Sequence, residues 1–480
     1  MKYIQIIVVI LFIAMMFVPL LCLNTEPEVA SSIDNRMLAK NPFSAEVRNR
    51  SDADLTRDID SYLSDRIGFR DEMILANTVL NDRLFGKMDH PSYAYGKDGY
   101  VFFAGMTPGQ FSDYHIAFAD MVEAVQNYCT ERGVPFVFVF NPEKKAVYSE
   151  FIPEGVNYNR DWVTLFLEEL DKRNINYVDN TPCLIEKKNE GEAVFNQKYN
   201  AGHWNDLGAF HGVNNILQNV QQFFPAVTLN TKDEFNIEYQ LNTSLHVSQF
   251  PIHEEAPIFS GKQQIESLTP LYQDEVKIDE EYNAFSYTVN AAKKKAGTPK
   301  ALVFQGSYMN GMGYKFMQNS FGEYIAVHDY QNILNFPYYF NLFQPECVIF
   351  EAAEYTFSSG FFNYEKMKVI DWNPLLETYA EQCSVDSLKK LTSDQVFIER
   401  GNEFTTLSWQ AEQAYDYVWL VAGKEFDLEL ADPETCLYEV TIPNEDYDRY
   451  HNEMYLVAAL DGKIEPYKFK NPSKISPVRN

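Results

Sequence analysis

Two short stretches of this chain combine residue types suited to acyl transfer. In Asn200-Ala201-Gly202-His203-Trp204-Asn205-Asp206-Leu207, Gly202 and Asn205 read as a loop feeding a helix that opens at Asp206 or Leu207. The loop keeps His203 at the edge of a layer, where an imidazole with an ordinary pKa of about 6.5 can shuttle a proton. The second stretch, Val303-Phe304-Gln305-Gly306-Ser307-Tyr308, is a hydrophobic strand ending in Gly-Ser at the turn into a helix. Such a serine stands at a strand's carboxyl end with turn amides available to an oxyanion, as acyl transfer requires. Its hydroxyl becomes a nucleophile only when a base comes within about 3 Å. Taken singly, each stretch has a plain alternative: a polar loop histidine bonded to its neighbours, and a common Gly-Ser turn.

Asn141-Pro142-Glu143-Lys144 follows an apolar run ending at Phe140 and lies at the same kind of edge. Asn141 or Lys144 there can reach an oxyanion or a glycan, against the simpler reading that Pro142 only ends the strand. Asp65 and Arg70, five residues apart, read as a helix-terminal packing pair. His211, His246, His253 and His328 are widely spaced with no ligand pattern, so no metal and no cofactor is expected.

Holding these groups requires strands whose ends share one edge. Val134 to Phe140 is wholly apolar, as in a parallel sheet covered on both faces. The helical pattern before it is read as capped by Thr107 with Pro108 in the first turn, running towards Cys129. Trp162 to Leu170 is helical, Tyr177 to Asp179 a short strand, 206 to about 223 a helix, and 301 to 304 and 347 to 350 buried strands. This alternation predicts a three-layer α/β/α domain over 60–375, with an acidic, loop-rich insert at 224–298 able to cap a cleft. Two helices broken at Gly68 begin it. Short β-like segments at 396–398, 417–421, 437–440 and 455–458 predict a smaller, sandwich-like β-rich domain over 385–475.

With 40 basic and 68 acidic residues in 480, the net charge of −28 disfavours nucleic acid and anionic lipid surfaces, whose binding needs positive charge. Ile4 to Leu23 is nevertheless about 20 apolar residues, enough to span a bilayer. Lys2 before it and Glu26 and Glu28 after it favour an exported body. No small-residue cleavage site closes the segment, so 1–24 is read as a signal anchor ahead of a signal peptide, and 25–59 as a stalk or extended arm. Six sparse cysteines, with no CxxC, do not make a disulfide framework and are expected to be mostly buried.

Further motifs fall in a familiar order: Asp65-Arg66-Ile67-Gly68-Phe69-Arg70, Leu84-Phe85-Gly86, Gly96-Lys97-Asp98-Gly99-Tyr100-Val101-Phe102, Asn141-Pro142-Glu143-Lys144 with Tyr148 and Pro153, Gly202-His203-Trp204-Asn205 with Gly208-Ala209, and Gly306-Ser307-Tyr308. Over about 60 to 370 the chain resembles the SGNH-hydrolase-like domains of alginate O-acetyltransferases and their DHHW-type relatives in Gram-positive bacteria. The resemblance implies an extracytoplasmic enzyme, anchored or secreted, that moves acetyl groups onto or off a surface polysaccharide. It makes Ser307 the nucleophile and His203 the base; Gly306, Asn141, Lys144, Tyr308 and Trp204, lying beside them, are expected as oxyanion or substrate supports. It also implies a membrane-bound O-acyltransferase as the donor partner. The family's Asp-x-His-Trp aspartate falls on Ala201 here. Asn200 can orient the ring without compensating its charge; Asp206 can do both if its backbone is not helical. A degenerate carbohydrate-binding or wall scaffold is the competing expectation.

Overall fold

The structure, a computed structural model, describes residues 2–33, 36–50, 54–105, 109–278, 284–328, 330–392, 394–469 and 476–477. A first hairpin joins β1 (Tyr93–Tyr95) to β2 (Val101–Phe103) through Asp98 and Gly99, both at positive φ. Then come β3 (Phe136–Asn141), β4 (Tyr177–Asp179), β5 (Phe235–Ser244), β6 (Pro251–Gly261), β7 (Glu266–Ser267), β8 (Phe285–Val289), β9 (Lys300–Gln305), β10 (Glu323–His328) and β11 (Cys347–Ala353). The central sheet has the order β4-β3-β11-β9-β10-β8-β7. Its first five strands are parallel, and β8 and β7 add antiparallel pairs at one edge.

The two-residue period of a strand explains why these runs are apolar throughout. Phe136, Phe138 and Phe140 enter one core, while Val137 and Val139 enter the other; Leu302 and Phe304 part likewise from Ala301 and Val303. Helices Asp113–Glu131, Asp161–Lys172 and Phe336–Phe343 cover the first face, and Asn180–Asn189, Asp206–Val220 and Tyr314–Ser320 the second. The body is therefore a three-layer α/β domain, with all five parallel strands pointing their carboxyl ends to one edge.

Two local readings are revised. Thr107 and Pro108 lie outside the described residues. The helix after them starts at Asp113, where Ser112 caps it and donates its backbone N–H to His115 Nδ1 at 3.1 Å. The 224–298 stretch is not chiefly loop: β5 and β6 pair over its middle and β8 extends the central sheet. The alternation Phe235, Ile237, Tyr239, Leu241, with polar Asn236, Glu238 and Gln240 between, carries a period-two signal that the sequence reading passed over.

At the N-terminus Lys2–Leu21 is one helix, and its Tyr3–Leu21 stretch is long and apolar enough to cross a membrane. This supports an anchored or secreted, extracytoplasmic body. Arg66, buried, gathers the following arm by donating to the carbonyls of Glu26, Pro27, Leu38 and Ala39. Beyond the α/β body, two β-sheets enclose a separate core that includes Leu407, Trp409, Leu420, Phe426 and Leu456. This smaller β-rich region meets the Asp113–Glu131 helix at Asp427, which accepts from the Tyr128 hydroxyl at 2.5 Å and faces Arg132 at 3.3 Å. All six cysteines are free thiols; Cys129 and Cys347 are buried, whereas Cys22 is exposed.

Candidate active site

β9 delivers Gly306 and Ser307 to the carboxyl edge of the sheet. Ser307 and Tyr308 start a helical turn that widens into a π turn over Met309–Gly313 before Tyr314–Ser320 resumes as α-helix. Single π turns of this kind recur at functional sites because they re-aim one side chain. The histidine arrives from the neighbouring loop. Asn200 sits at φ 50°, a left-handed conformation that asparagine tolerates better than most residues. Gly202 is pressed against the Phe103 ring, where a Cβ would come within 2.2 Å. Asn205 Oδ1 accepts the Gly208 N–H at 2.9 Å, capping the helix that follows.

Loop and turn are clamped together by Trp204. Its ring is fully buried, and Nε1 donates to the Tyr308 carbonyl at 3.0 Å. This places His203 Nε2 2.8 Å from Ser307 Oγ, while His203 Nδ1 lies 2.8 Å from Asn200 Oδ1. An amide oxygen only accepts, so Nδ1 carries the ring proton and Nε2 is left to take one from the serine. Burial, and secondarily the charge of His246, pushes His203 down to about 4, so the ring is neutral at pH 7.

Two tyrosines and an acid complete the cluster. The Tyr355 hydroxyl is hydrogen-bonded to Ser307 Oγ, and the Tyr330 hydroxyl accepts the Ser307 N–H at 3.4 Å. Glu351, on β11, accepts the Gly306 N–H at 2.6 Å and Asn141 Nδ2 at 2.8 Å. Burial raises its carboxyl to about 7 against those two hydrogen bonds, which lower it. Behind it runs a one-way chain of amides: Asn215 donates to Asn180 at 2.9 Å, Asn180 to Asn141 at 2.7 Å, and Asn141 to Glu351.

Ser307, His203 and Asn200 therefore meet, and several expected companions do not. Asp206 is the first residue of its helix, and its carboxylate accepts from the Phe259 N–H and Lys315 Nζ, each at 2.7 Å, so it does not serve the imidazole. Gly306 gives its amide to Glu351, which removes that donor from an oxyanion. Asn141 acts through the same carboxyl. Lys144 is buried, with Nζ on the carbonyls of Val101 (2.7 Å) and Gln197 (2.9 Å), and burial pulls it down to about 7; it fastens β2 and does not reach the serine. Tyr308 packs its ring 5.3 Å from that of His203 and donates its hydroxyl to the Pro142 carbonyl at 3.1 Å, so it and Trp204 are framework. Asp65 pairs with Arg36 and sits 4.0 Å from Arg70, far from this chemistry in role.

Sequence reasoning passed over Tyr330, Tyr355 and Glu351. One signal was available for the last. In Val348-Ile349-Phe350-Glu351-Ala352-Ala353 a lone acid interrupts an apolar strand near its carboxyl end, where a buried charge needs a reason.

A second histidine–serine pair, His90 Nε2 to Ser248 Oγ at 3.1 Å, lies at the tip of the β5–β6 hairpin. There the Ser92 N–H donates to His90 Nδ1 at 3.1 Å, so the neutral ring carries its proton on Nε2 and donates it to the serine. The polarity is opposite to that at Ser307, and Ser248 gains no base.

The family model described as the SGNH hydrolase-like domain of the acetyltransferase AlgX matches residues 94–247, a stretch that holds Asn200 and His203 but ends before Ser307. Over those residues the body is similar to that domain. No curated protein matches the sequence. Among solved structures, the chain is similar to the O-acetyltransferase domain of Pseudomonas putida AlgJ, at 13% identity and a TM-score of 0.38, covering 60% of this chain and 95% of that one. Bacillus cereus PatB1 gives 15% identity and 0.42, covering 54% and 95%. A DHHW family protein from Eubacterium siraeum DSM 15702 gives 16% and 0.41, covering 59% and 96%.

Proposed function

We propose that this protein is an extracytoplasmic O-acetyltransferase or O-acetylesterase acting on a cell-surface or secreted polysaccharide through an acetyl-serine on Ser307. The observation that carries the reading is the 2.8 Å approach of His203 Nε2 to Ser307 Oγ, in the tautomer that accepts the serine proton. Attack of Oγ on the donor's acetyl carbonyl passes that proton to Nε2. Collapse of the tetrahedral intermediate expels the donor alcohol, which takes the proton back. The acetyl-serine then passes its acyl group to a sugar hydroxyl or to water by the same steps in reverse. With the Gly306 amide committed to Glu351, the donors nearest the nucleophile are the Ser307 N–H, held only by a 3.4 Å bond to the Tyr330 hydroxyl, and the Tyr355 hydroxyl, both on half-buried residues.

Asn200 orients the ring but adds no charge to balance the imidazolium, so the base is weaker than one backed by a carboxylate. This, with Ala201 at the aspartate position of the resembling family, is what favours the second reading, a glycan-binding scaffold without turnover. An acetyl donor on this side of a membrane calls for a membrane-bound O-acyltransferase partner, the polysaccharide being the acceptor. Hydrolysis of p-nitrophenyl acetate by the wild type and its loss in Ser307→Ala tests the assignment; equal rates in the two would overturn it and leave the scaffold reading.

A further inference from the structure

Next to Tyr355 lies a cavity of about 370 Å³ whose walls include His115, Glu143, Lys145, Tyr158, Trp162 and Glu354. Its size is at the lower end for small-molecule sites. Tyr355 lines this cavity and its hydroxyl is bonded to Ser307 Oγ, so one side chain separates the cavity from the nucleophile.

The polar groups define what fits. Trp162 and His115 are 7% and 6% exposed, with ring centroids 4.9 Å apart. Among the described residues no acceptor meets Trp162 Nε1, nor His115 Nε2, which carries the ring proton because Nδ1 takes the Ser112 N–H. Both rings line the cavity. Gly109 keeps the indole edge clear: a Cβ there would lie 2.7 Å from Nε1. Opposite these donors, Glu143 presents a carboxylate whose Oε2 is held by Lys145 at 2.8 Å. Glu354 is fully engaged, by Arg160 at 2.9 and 3.1 Å and by the Glu143 N–H at 3.0 Å. Two acids are thus matched by two bases, and burial holds His115 below its ordinary value and hence neutral. An anionic sugar would bring an unmatched charge into a half-enclosed site, which is costly. A ring of hydroxyls can both accept from the indole and imidazole N–H groups and donate to Glu143, with its C–H face against an aromatic wall.

We infer that this cavity is the acceptor subsite and that it takes one uncharged, hydroxyl-rich pyranose unit of a neutral glycan. The inference rests on the acetyl-transfer reading for its role as acceptor site, but its binding test is separate from turnover. Calorimetric titration of the full Ser307→Ala chain with cellotriose and with trigalacturonate is expected to give saturable binding of the first, at least tenfold tighter than the second. Trp162→Phe, which keeps an aromatic ring and removes the N–H, should weaken cellotriose binding about tenfold. Glu143→Gln leaves Lys145 unmatched and should narrow the preference at least fivefold by tightening trigalacturonate. No saturable cellotriose binding at millimolar concentrations, equal binding of the two sugars, or a Glu143→Gln chain with the preference unchanged would each overturn the inference. Should Trp162→Phe fail to fold, Glu143→Gln decides alone. Loss of the p-nitrophenyl acetate reading with cellotriose binding intact would fault the function and not the subsite.

Discussion

The loop at His203 and the hairpin tip at His90 hold the same two side chains at nearly the same distance, 2.8 and 3.1 Å, yet only one of them can activate a serine. The difference is decided on the far side of each ring. At His203 the far nitrogen faces an amide oxygen and must keep the proton; at His90 it faces a backbone N–H and must give it up. Proximity of a histidine to a serine therefore says nothing about catalysis until the partner of the second nitrogen is known. Solvent access adds to the contrast, since Ser307 is half-open whereas Ser248 is buried.

Removing the nucleophile should show the contrast most strongly. Ser307→Ala is expected to lower p-nitrophenyl acetate turnover by on the order of 10³ or more, with the fold retained by circular dichroism. His203→Gln should cost nearly as much, about 10²–10³ in kcat, because the amide cannot accept and return a proton. A smaller, opposite effect is expected from Asn200→Asp. A carboxylate on Nδ1 stabilises the imidazolium, so turnover should rise about tenfold and the acid limb of the pH–rate profile should move upward. In the wild type that limb is expected near the His203 value of about 4, so activity should persist as pH falls past the ordinary imidazole range and be lost only when the ring protonates. A wild-type limb near 6.5 would show that the ring is more solvated than its packing implies. Least of all, Ser248→Ala should leave turnover within twofold and lower stability by about 1 kcal/mol, read as a small drop in Tm. A large loss of activity in that variant would erase the distinction between the two pairs.

One side of this contrast, the His203 and Ser307 loops, was local in sequence, and that is why it was legible. Gly202, His203 and Asn205 lie within four residues, and Gly306-Ser307 closes an apolar run, so both loops could be placed at sheet edges from spacing alone. Choosing between Asn200 and Asp206 needed the backbone: both are three residues from His203, but the helix starts at Asp206 and turns its carboxylate to Lys315. Tyr330, Tyr355 and Glu351 converge from the ends of β10 and β11, whose pairing with β9 no local pattern announces. His90 and Ser248, 158 residues apart, are brought together by a hairpin that the sequence reading took for part of a loop-rich insert. The central sheet was readable because burial on both faces forces continuous apolar runs.

The amide chain from Asn215 through Asn180 and Asn141 to Glu351 has a consequence for isotope exchange. It ties a helix, the start of a second helix, two strands and the nucleophile turn into one hydrogen-bonded thread, ending on the Gly306 amide. That amide can swap its proton for deuterium only when the thread parts, so it should trade places with solvent at the pace of the sheet's cooperative opening. The adjacent Ser307 amide, on a 3.4 Å bond to a tyrosine hydroxyl, is free to exchange by a far smaller fluctuation. Two neighbouring peptide groups would then report, side by side, the rigidity of the platform and the freedom of the reacting residue it carries.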